Sequence, residues 1–316
     1  MRALLTGASG FVGQSVVAHL NAVGVEIVAL TRRQQPPMQG VEWQVLESPS
    51  NSGQIAEAVS KVAPDVVFHL AGTSDGSNLS ALYEANVVFA AQVFEACLAV
   101  PASPVVVVAG SAAEYGPVSN DVARVSESFH PNPNTAYGIS KLAQTQHAML
   151  AASRGLRIIV ARLFNPIGPN MPVSLALGSF AEQIAQFETT SGVLRTGDLD
   201  SERDFIDVDE VARILFELTS IDRAYGSIVN VCTGKASNLM DLTTRLIQLA
   251  GIPVRIERDP SRIGNSTVRR FVGDPSRLNS FGIGAHTTNL DALLASMLAT
   301  ARERRHNQMD LHTRPQ

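Results

Sequence analysis

An apolar run at residues 3–6 (ALLT) passes without a spacer into GASGFVG, so Gly7, Gly10 and Gly13 stand between a strand and an apolar helical pattern. No other feature constrains the fold as strongly. One glycine permits the tight turn, another lets the backbone approach a pyrophosphate, and the third lets helix and strand pack closely. The helix start offers unpaired N–H groups and a positive dipole end to an anion. A glycine triplet in an ordinary loop would mean little. Opening a chain of βα units, it points to a dinucleotide held by Gly7, Gly10, Phe11, Val12 and Gly13.

The residues that follow supply those units. Segments 26–31, 42–46, 65–71, 104–109 and 157–164 are short, rich in Val, Ile and Leu, and bounded by Gly, Pro or charge, as strands are. Helical patterns lie between most of them, near 11–23, 54–63, 79–99 and 136–154. Helix and strand recur at 207–219 and 228–232. This alternation predicts right-handed crossovers and an α/β fold, a doubly wound parallel sheet of the Rossmann type. Residues 1–165 and 204–232 are expected to form the dinucleotide-binding domain. Residues 166–203 and 233–316, richer in Pro, Gly and Arg, are expected to form a smaller substrate domain. The tail from residue 302 has little apolar content and is expected to fray.

Lys and Arg total 25 and Asp and Glu 29 in 316 residues, a formal net charge of −4. That balance argues against a nucleic-acid partner. Cys97 and Cys232 are too few for a disulfide framework, and no ligand spacing surrounds them. We expect two buried thiols, no metal site and a cytoplasmic location. No segment reads as a signal peptide, and the apolar runs look too short to cross a bilayer.

The end of the second strand distinguishes the dinucleotides. A carboxylate there would bind the ribose hydroxyls of NAD. This chain has Thr31, Arg32 and Arg33 instead. An arginine can pair with a 2′-phosphate, so NADP(H) is favoured over NAD(H). The plainer alternative is a pair of solvated loop charges.

Ser111 lies in GSAAEYG at the end of the fifth strand, and Tyr137 and Lys141 lie in AYGISK, four residues apart. On a helix that spacing puts both on one face. A phenol ionises near pH 10, and a neighbouring ammonium eases its proton transfer. A serine hydroxyl at a strand end can hold the reacting oxygen. A YxxxK alone is common; its place downstream of the glycine turn and the serine is not.

With these motifs in hand, the chain resembles an extended short-chain dehydrogenase/reductase acting on nucleotide sugars, of the NAD-dependent epimerase/dehydratase family. TGASGFVG, HLAG (69–72), Asn86, GSAAEYG, AYGISK, RLFNPIGP (162–169) and RDFIDVDEVA (203–212) follow the family's order. The resemblance implies Ser111 as oxyanion partner, Tyr137 as general acid/base and Lys141 as partner of the nicotinamide ribose. It adds Leu70, Ala71 and Gly72 at the cofactor and Asn165, Ser179, Arg203 and Arg262 at a nucleotide-sugar substrate. Asn165 could instead be a turn residue, and Arg203 a salt-bridge partner of Asp204 or Asp207. His69 reads as structural. The family's habit implies a homodimer through helices at about 80–99 and 136–154.

Dehydratases of this family carry acid/base residues between the Ser/Thr and Tyr of the fifth-strand motif. Here Ala112 and Ala113 stand there, and methyl groups cannot move protons. Glu114 is adjacent in sequence but should point elsewhere. Hydride transfer remains. The second half resembles the GDP-4-dehydro-6-deoxy-D-mannose reductase branch, which implies reduction of the C4 ketone of a nucleotide-linked 4-keto-6-deoxyhexose. One departure is the run Gly264, Asn265, Ser266, Thr267 where that branch writes Arg-Pro; Arg262, Arg269 or Arg270 could substitute. The alternatives are a nucleotide-sugar 4-epimerase with tightly bound NAD and a catalytically silent dinucleotide-sensing protein.

Overall fold

A computed structural model describes residues 1–47, 51–101, 103–187, 191–262 and 268–313, with side chains through residue 307. The segment at Gly264 that departs from the reductase pattern lies outside the described residues. The chain starts as β1 (Arg2–Thr6), α1 (Phe11–Ala22), β2 (Glu26–Thr31), β3 (Val41–Val45), α2 (Ser52–Val62) and β4 (Val66–His69). A long helix follows as α3 (Leu79–Tyr83), a π turn at Glu84–Val88 and α4 (Phe89–Ala99). Then come β5 (Val105–Ser111), a 3₁₀ turn at Ala112–Tyr115, α5 (Ala136–Ser153) and β6 (Ile158–Leu163).

Beyond β6 the elements are β7 (Pro166–Ile167), α6 (Ala176–Ala185), β8 (Gly192–Thr196), β9 (Glu202–Arg203), β10 (Ile206–Asp207), α7 (Val208–Leu218), β11 (Ser227–Val231), β12 (Ser237–Asn238), α8 (Leu239–Ala250), β13 (Val254–Arg258), β14 (Arg270–Phe271), α9 (Ser276–Ser280) and α10 (Leu290–Thr313). Seven strands form one parallel sheet in the order β11-β6-β5-β4-β1-β2-β3. The doubly wound α/β expectation therefore holds.

The apolar runs have a direct physical cause. Successive strand side chains alternate between faces, and both faces are covered. Leu5, Phe68 and Val107 pack with Val16, Leu20, Val211 and Leu215 of α1 and α7. Their neighbours Leu4, Val67, Val106 and Val108 pack on the opposite face with Ile55, Val93 and Ala148 of α2, α4 and α5. A strand buried on both sides needs apolar residues at every position. A third core joins Ile167, Phe180 and Leu194 to Leu242, Leu246, Leu294 and Leu298. Leu278 and Ile283, by contrast, pack back onto the sheet.

Four local expectations need correction. β4 ends at His69 rather than residue 71, because the next residues turn over β1. β5 runs through Ser111, two residues past its expected end. The segment Leu79–Ala99 is long and apolar enough to cross a bilayer by length and composition, contrary to the reading of its runs as too short. Here Val93, Phe94 and Cys97 bury it against the sheet face. The tail does not fray within the described residues. α10 continues to Thr313 because arginines dock it: Arg302 donates to the Ala250 carbonyl (3.0 Å) and Arg305 to that of Ala185 (3.3 Å). Those carbonyls end α8 and α6, where unpaired C=O groups and the negative dipole end favour cations.

Candidate active site

The glycine turn is built as its composition demands. Gly7 has φ +77°, and a Cβ there would lie 2.6 Å from the Ala71 nitrogen. A Cβ on Gly13 would lie 2.0 Å from the Gly7 carbonyl oxygen. Only hydrogen atoms let β1, α1 and the loop after β4 approach this closely. Gly10 caps α1, so the helix opens onto a cavity of about 930 Å³ above the carboxyl ends of the strands. Gly7, Gly10, Phe11, Val12 and Gly13 all line it.

The loop after β4 forms a second wall. The Thr6 hydroxyl lies 3.0 Å from His69 Nδ1 and accepts the Ala71 N–H at 3.2 Å. His69 is wholly buried against Phe89 and Phe94, and burial, then the Lys141 charge, hold its pKa down to about 3. A neutral imidazole bonded to a core threonine fits the structural reading. Asn86, buried in the π turn, accepts the Thr73 N–H (2.8 Å) and donates to Thr73 O and Ser140 Oγ (both 2.9 Å). It thus ties the Leu70–Thr73 loop to the helix that carries Tyr137. Leu70 and Gly72 line the cavity, and Ala71 packs against the core on the α2, α4 and α5 side.

Ser111, Tyr137 and Lys141 meet on the opposite wall. The Ser111 hydroxyl accepts the Ala113 N–H at 3.2 Å and lies near enough to the Tyr137 phenol to favour its ionised form. Burial raises the phenol's pKa; the Ser111 hydroxyl opposes this and the Glu114 charge adds to it. With its pKa raised by burial, Tyr137 stays protonated at neutral pH. Lys141 is buried, and desolvation pulls its pKa down to about 8 against the Glu114 charge. Its Nζ donates to the Ala109 carbonyl at 2.6 Å and to Gln144 Oε1. Ala112 and Ala113 line the cavity, and Ala112 also packs in a core with Tyr115 and Phe164. Glu114 points into the core, as expected.

The far end of the cavity is made by β7, β9 and β14. Asn165 lines it while donating to the Asp204 carbonyl at 2.8 Å. Arg203 lines it too, and it pairs with neither Asp204 nor Asp207. Its guanidinium donates to the carbonyls of Glu202 (2.9 Å), Arg269 (3.3 Å) and Val268 (3.0 Å). Burial lowers its pKa. Asp204 is spent on Thr233, Gly234 and Gly273. Arg203 also borders an adjoining cavity of about 550 Å³ that Ser179, Arg262 and Arg269 line. Arg262 reaches Ser179 Oγ (3.4 Å) and Asp259 (3.5 Å), Arg269 pairs with Asp200, and Arg270 pairs with Glu202.

Thr31 and Arg32 do not line the main cavity. Thr31 closes a turn with Arg33 (2.9 Å), and Arg32 and Arg33 are exposed at the end of β2, without a carboxylate partner among the described residues. Asn86 was read only as a motif member, and its clamp becomes visible once the π turn aims it at Thr73. The pairing of Glu114 with Arg162 was not foreseen at all, because 48 residues separate them.

A dinucleotide fits this frame on the geometry itself: a cradle any Cβ would fill, a helix N-terminus facing a cavity, and a buried lysine on its wall. Residues 3–232 match the family described as the NAD dependent epimerase/dehydratase family. The chain is 30% identical to the GDP-6-deoxy-D-mannose reductase of Pseudomonas aeruginosa over 88% of its own length and 90% of that protein. It is also 30% identical to a dTDP-6-deoxy-L-talose 4-dehydrogenase (NAD(P)(+)) of Kitasatospora kifunensis, with 83% of each chain covered. Among solved structures, RMD from Pseudomonas aeruginosa complexed with NADPH superimposes with a TM-score of 0.82 at 26% identity, covering 96% of this chain and 99% of that one.

Proposed function

The chain belongs to the NAD dependent epimerase/dehydratase family, and we propose that it reduces the C4 ketone of a nucleotide-linked 4-keto-6-deoxyhexose with NADPH. It is an NAD(P)-dependent sugar-nucleotide oxidoreductase. The observation that carries the reading is one cavity with a phosphate-type glycine turn at one end, Ser111, Tyr137 and Lys141 on its wall, and methyl groups at 112 and 113. Elimination of water would need acid/base groups at those two positions. The match to the GDP-6-deoxy-D-mannose reductase supports the substrate class.

Gly7, Gly10, Phe11, Val12 and Gly13 would hold the pyrophosphate, with Leu70, Ala71 and Gly72 opposite and Thr31 and Arg32 at the adenosine end. NADP(H) is favoured over NAD(H), supported by the exposed arginines and by the NADPH-bound structure of the Pseudomonas protein. When bound, NADPH supplies the hydride. Tyr137, protonated because it is buried, gives its proton to the carbonyl oxygen at C4. Ser111, which lines the same cavity, holds the same oxygen. Lys141, still cationic below about pH 8, supports the phenol and the ribose. Asn165, Ser179, Arg203 and Arg262 bind the nucleotide sugar. Arg203 does so as a half-buried guanidinium that donates to three backbone carbonyls and has no carboxylate partner among the described residues, a charge suited to a diphosphate.

The same reading assigns residues 1–165 and 204–232 to the cofactor and 166–203 with 233–316 to the substrate, supported by the separate third core. It includes a homodimer across the long helix and α5, supported by exposed Leu79, Tyr83, Val88, Ile139 and Leu150. A cytoplasmic setting suits two buried thiols whose pKa values burial raises. The test is mass spectrometry of products from a panel of nucleotide 4-ketosugars with added NADPH. Conversion of a ketone to a single 4-hydroxy product is expected. Purified protein carrying tight NAD⁺ and interconverting 4-epimers without NADPH would overturn the reading.

A further inference from the structure

Behind the wall that carries Ser111 lies a carboxylate the proposed chemistry leaves unused. Glu114 is fully buried. Its Oε1 accepts the Ser111 N–H at 2.8 Å; its Oε2 accepts the Thr145 hydroxyl and Arg162 Nε, each at 2.8 Å. Those donors sit on three elements. Ser111 ends β5, Thr145 lies one turn beyond Lys141 on α5, and Arg162 lies on β6 beside the cavity-lining Leu163. The fit is tight, since a Cβ on Gly110 would come 2.9 Å from Glu114 Oε1. Arg162 in turn lies over the Tyr115 ring at 4.5 Å, and the Tyr115 hydroxyl donates to Asn230 at 2.7 Å. A fully desolvated ion pair adds little stability over an apolar pair of the same volume. What this one supplies is a fixed geometry and a fixed charge.

We propose that Glu114 is a positioning residue, which through the Ser111 N–H fixes the end of β5 on the wall it shares with Tyr137 and sets a negative charge behind the Tyr137–Lys141 pair. The inference rests on Tyr137 as proton donor. Ser111 and Glu114 act on the phenol; Glu114, neutral His69, the Ala109 carbonyl and Gln144 surround the ammonium. The Glu114 charge raises the pKa of both groups, so removing it lowers both.

The experiment compares Glu114→Gln, the double variant Glu114→Leu/Arg162→Met, Thr145→Val, Thr145→Ser and Tyr137→Phe. The double variant keeps the volume apolar and folded should the lone glutamine strand the Arg162 charge. Thr145→Val leaves both charges in place. Each is measured for kcat and KM on the ketosugar, Kd for NADPH, the pH profile and thermal midpoint. Positioning predicts that kcat falls tenfold or more in the folded Glu114 variants while NADPH Kd stays within about threefold. The alkaline limb of kcat/KM moves to lower pH in Glu114→Gln, Thr145→Val lowers kcat severalfold, and Thr145→Ser restores it. A purely structural role would shift only the midpoint. If the folded variants keep kcat within twofold and the pH profile stays put while Tyr137→Phe is inactive, Glu114 is not a positioning residue. If Tyr137→Phe retains activity, the proton-donor reading falls first and takes this inference with it.

Discussion

Replacing Gly7 by alanine tests the cofactor cradle most directly, because two separable penalties meet there. The backbone sits at φ +77°, and an L-residue in that region costs about 1–2 kcal/mol. The new Cβ would also stand 2.6 Å from the Ala71 nitrogen and 2.7 Å from the Leu70 carbonyl carbon. Both are backbone atoms, so the loop must retreat by about 0.8 Å to restore contact distance, and overpacking of this kind adds about 1–3 kcal/mol. The sum is about 2–5 kcal/mol. Gly24 provides the internal control: its φ is +73°, yet a Cβ there meets nothing within 4 Å. Gly24→Ala should therefore cost only the first part. Urea unfolding gives both stabilities, and fluorescence titration gives NADPH affinity. Gly7→Ala should lose at least about 1 kcal/mol more than Gly24→Ala, and it alone should weaken NADPH, since Gly7 and the loop it displaces line the cavity. Equal destabilisation of the two variants, with NADPH affinity intact in Gly7→Ala, would refute the close-approach argument.

Further predictions concern the wall and the two ends of the cavity. Tyr137→Phe should leave NADPH binding nearly intact and reduce kcat by about 10²–10⁴-fold; a variant retaining a tenth of wild-type turnover would remove Tyr137 from that role. Arg32→Ala should cost NADPH roughly 1.5–3 kcal/mol, or about 10- to 150-fold, and NADH little, which parallel titrations of the two cofactors decide. Arg203→Lys should raise the KM for the nucleotide sugar about tenfold or more without changing NADPH affinity, because an ammonium cannot bridge two phosphate oxygens. Lys141 has its pKa lowered to about 8 in the cofactor-free protein. It is charged below that pH and neutral above it, so kcat/KM for NADPH, which reports free-enzyme ionisations, should hold below pH 8 and fall above it.

Much of the frame was legible in the residue order, since it rests on local physics. A parallel strand buried on both faces writes a continuous apolar run, and a close strand-to-helix turn writes glycines; hence the sheet and Gly7, Gly10 and Gly13 could be read directly. The Tyr137–Lys141 pair lies within one helical turn, so its shared face follows from helix geometry alone. Ala112 and Ala113 told by their side chains what the wall cannot do.

What escaped that reading depends on packing between distant segments. Arg203 could have been half of a salt bridge to Asp204 or Asp207; only the folded chain shows Asp204 consumed by Thr233, Gly234 and Gly273 and Arg203 left with backbone carbonyls. Low apolar content suggested a frayed tail, yet Arg302 and Arg305 find helix ends 52 and 120 residues away. The phenol of Tyr137 is raised by burial, an effect no residue spacing discloses. Sequence alone determined which residue types face one another along a strand or a helix turn, because that spacing is fixed by backbone geometry. Which charges lose water, and which carboxylate they meet when they do, was decided by the tertiary structure, because desolvation depends on everything packed around a group.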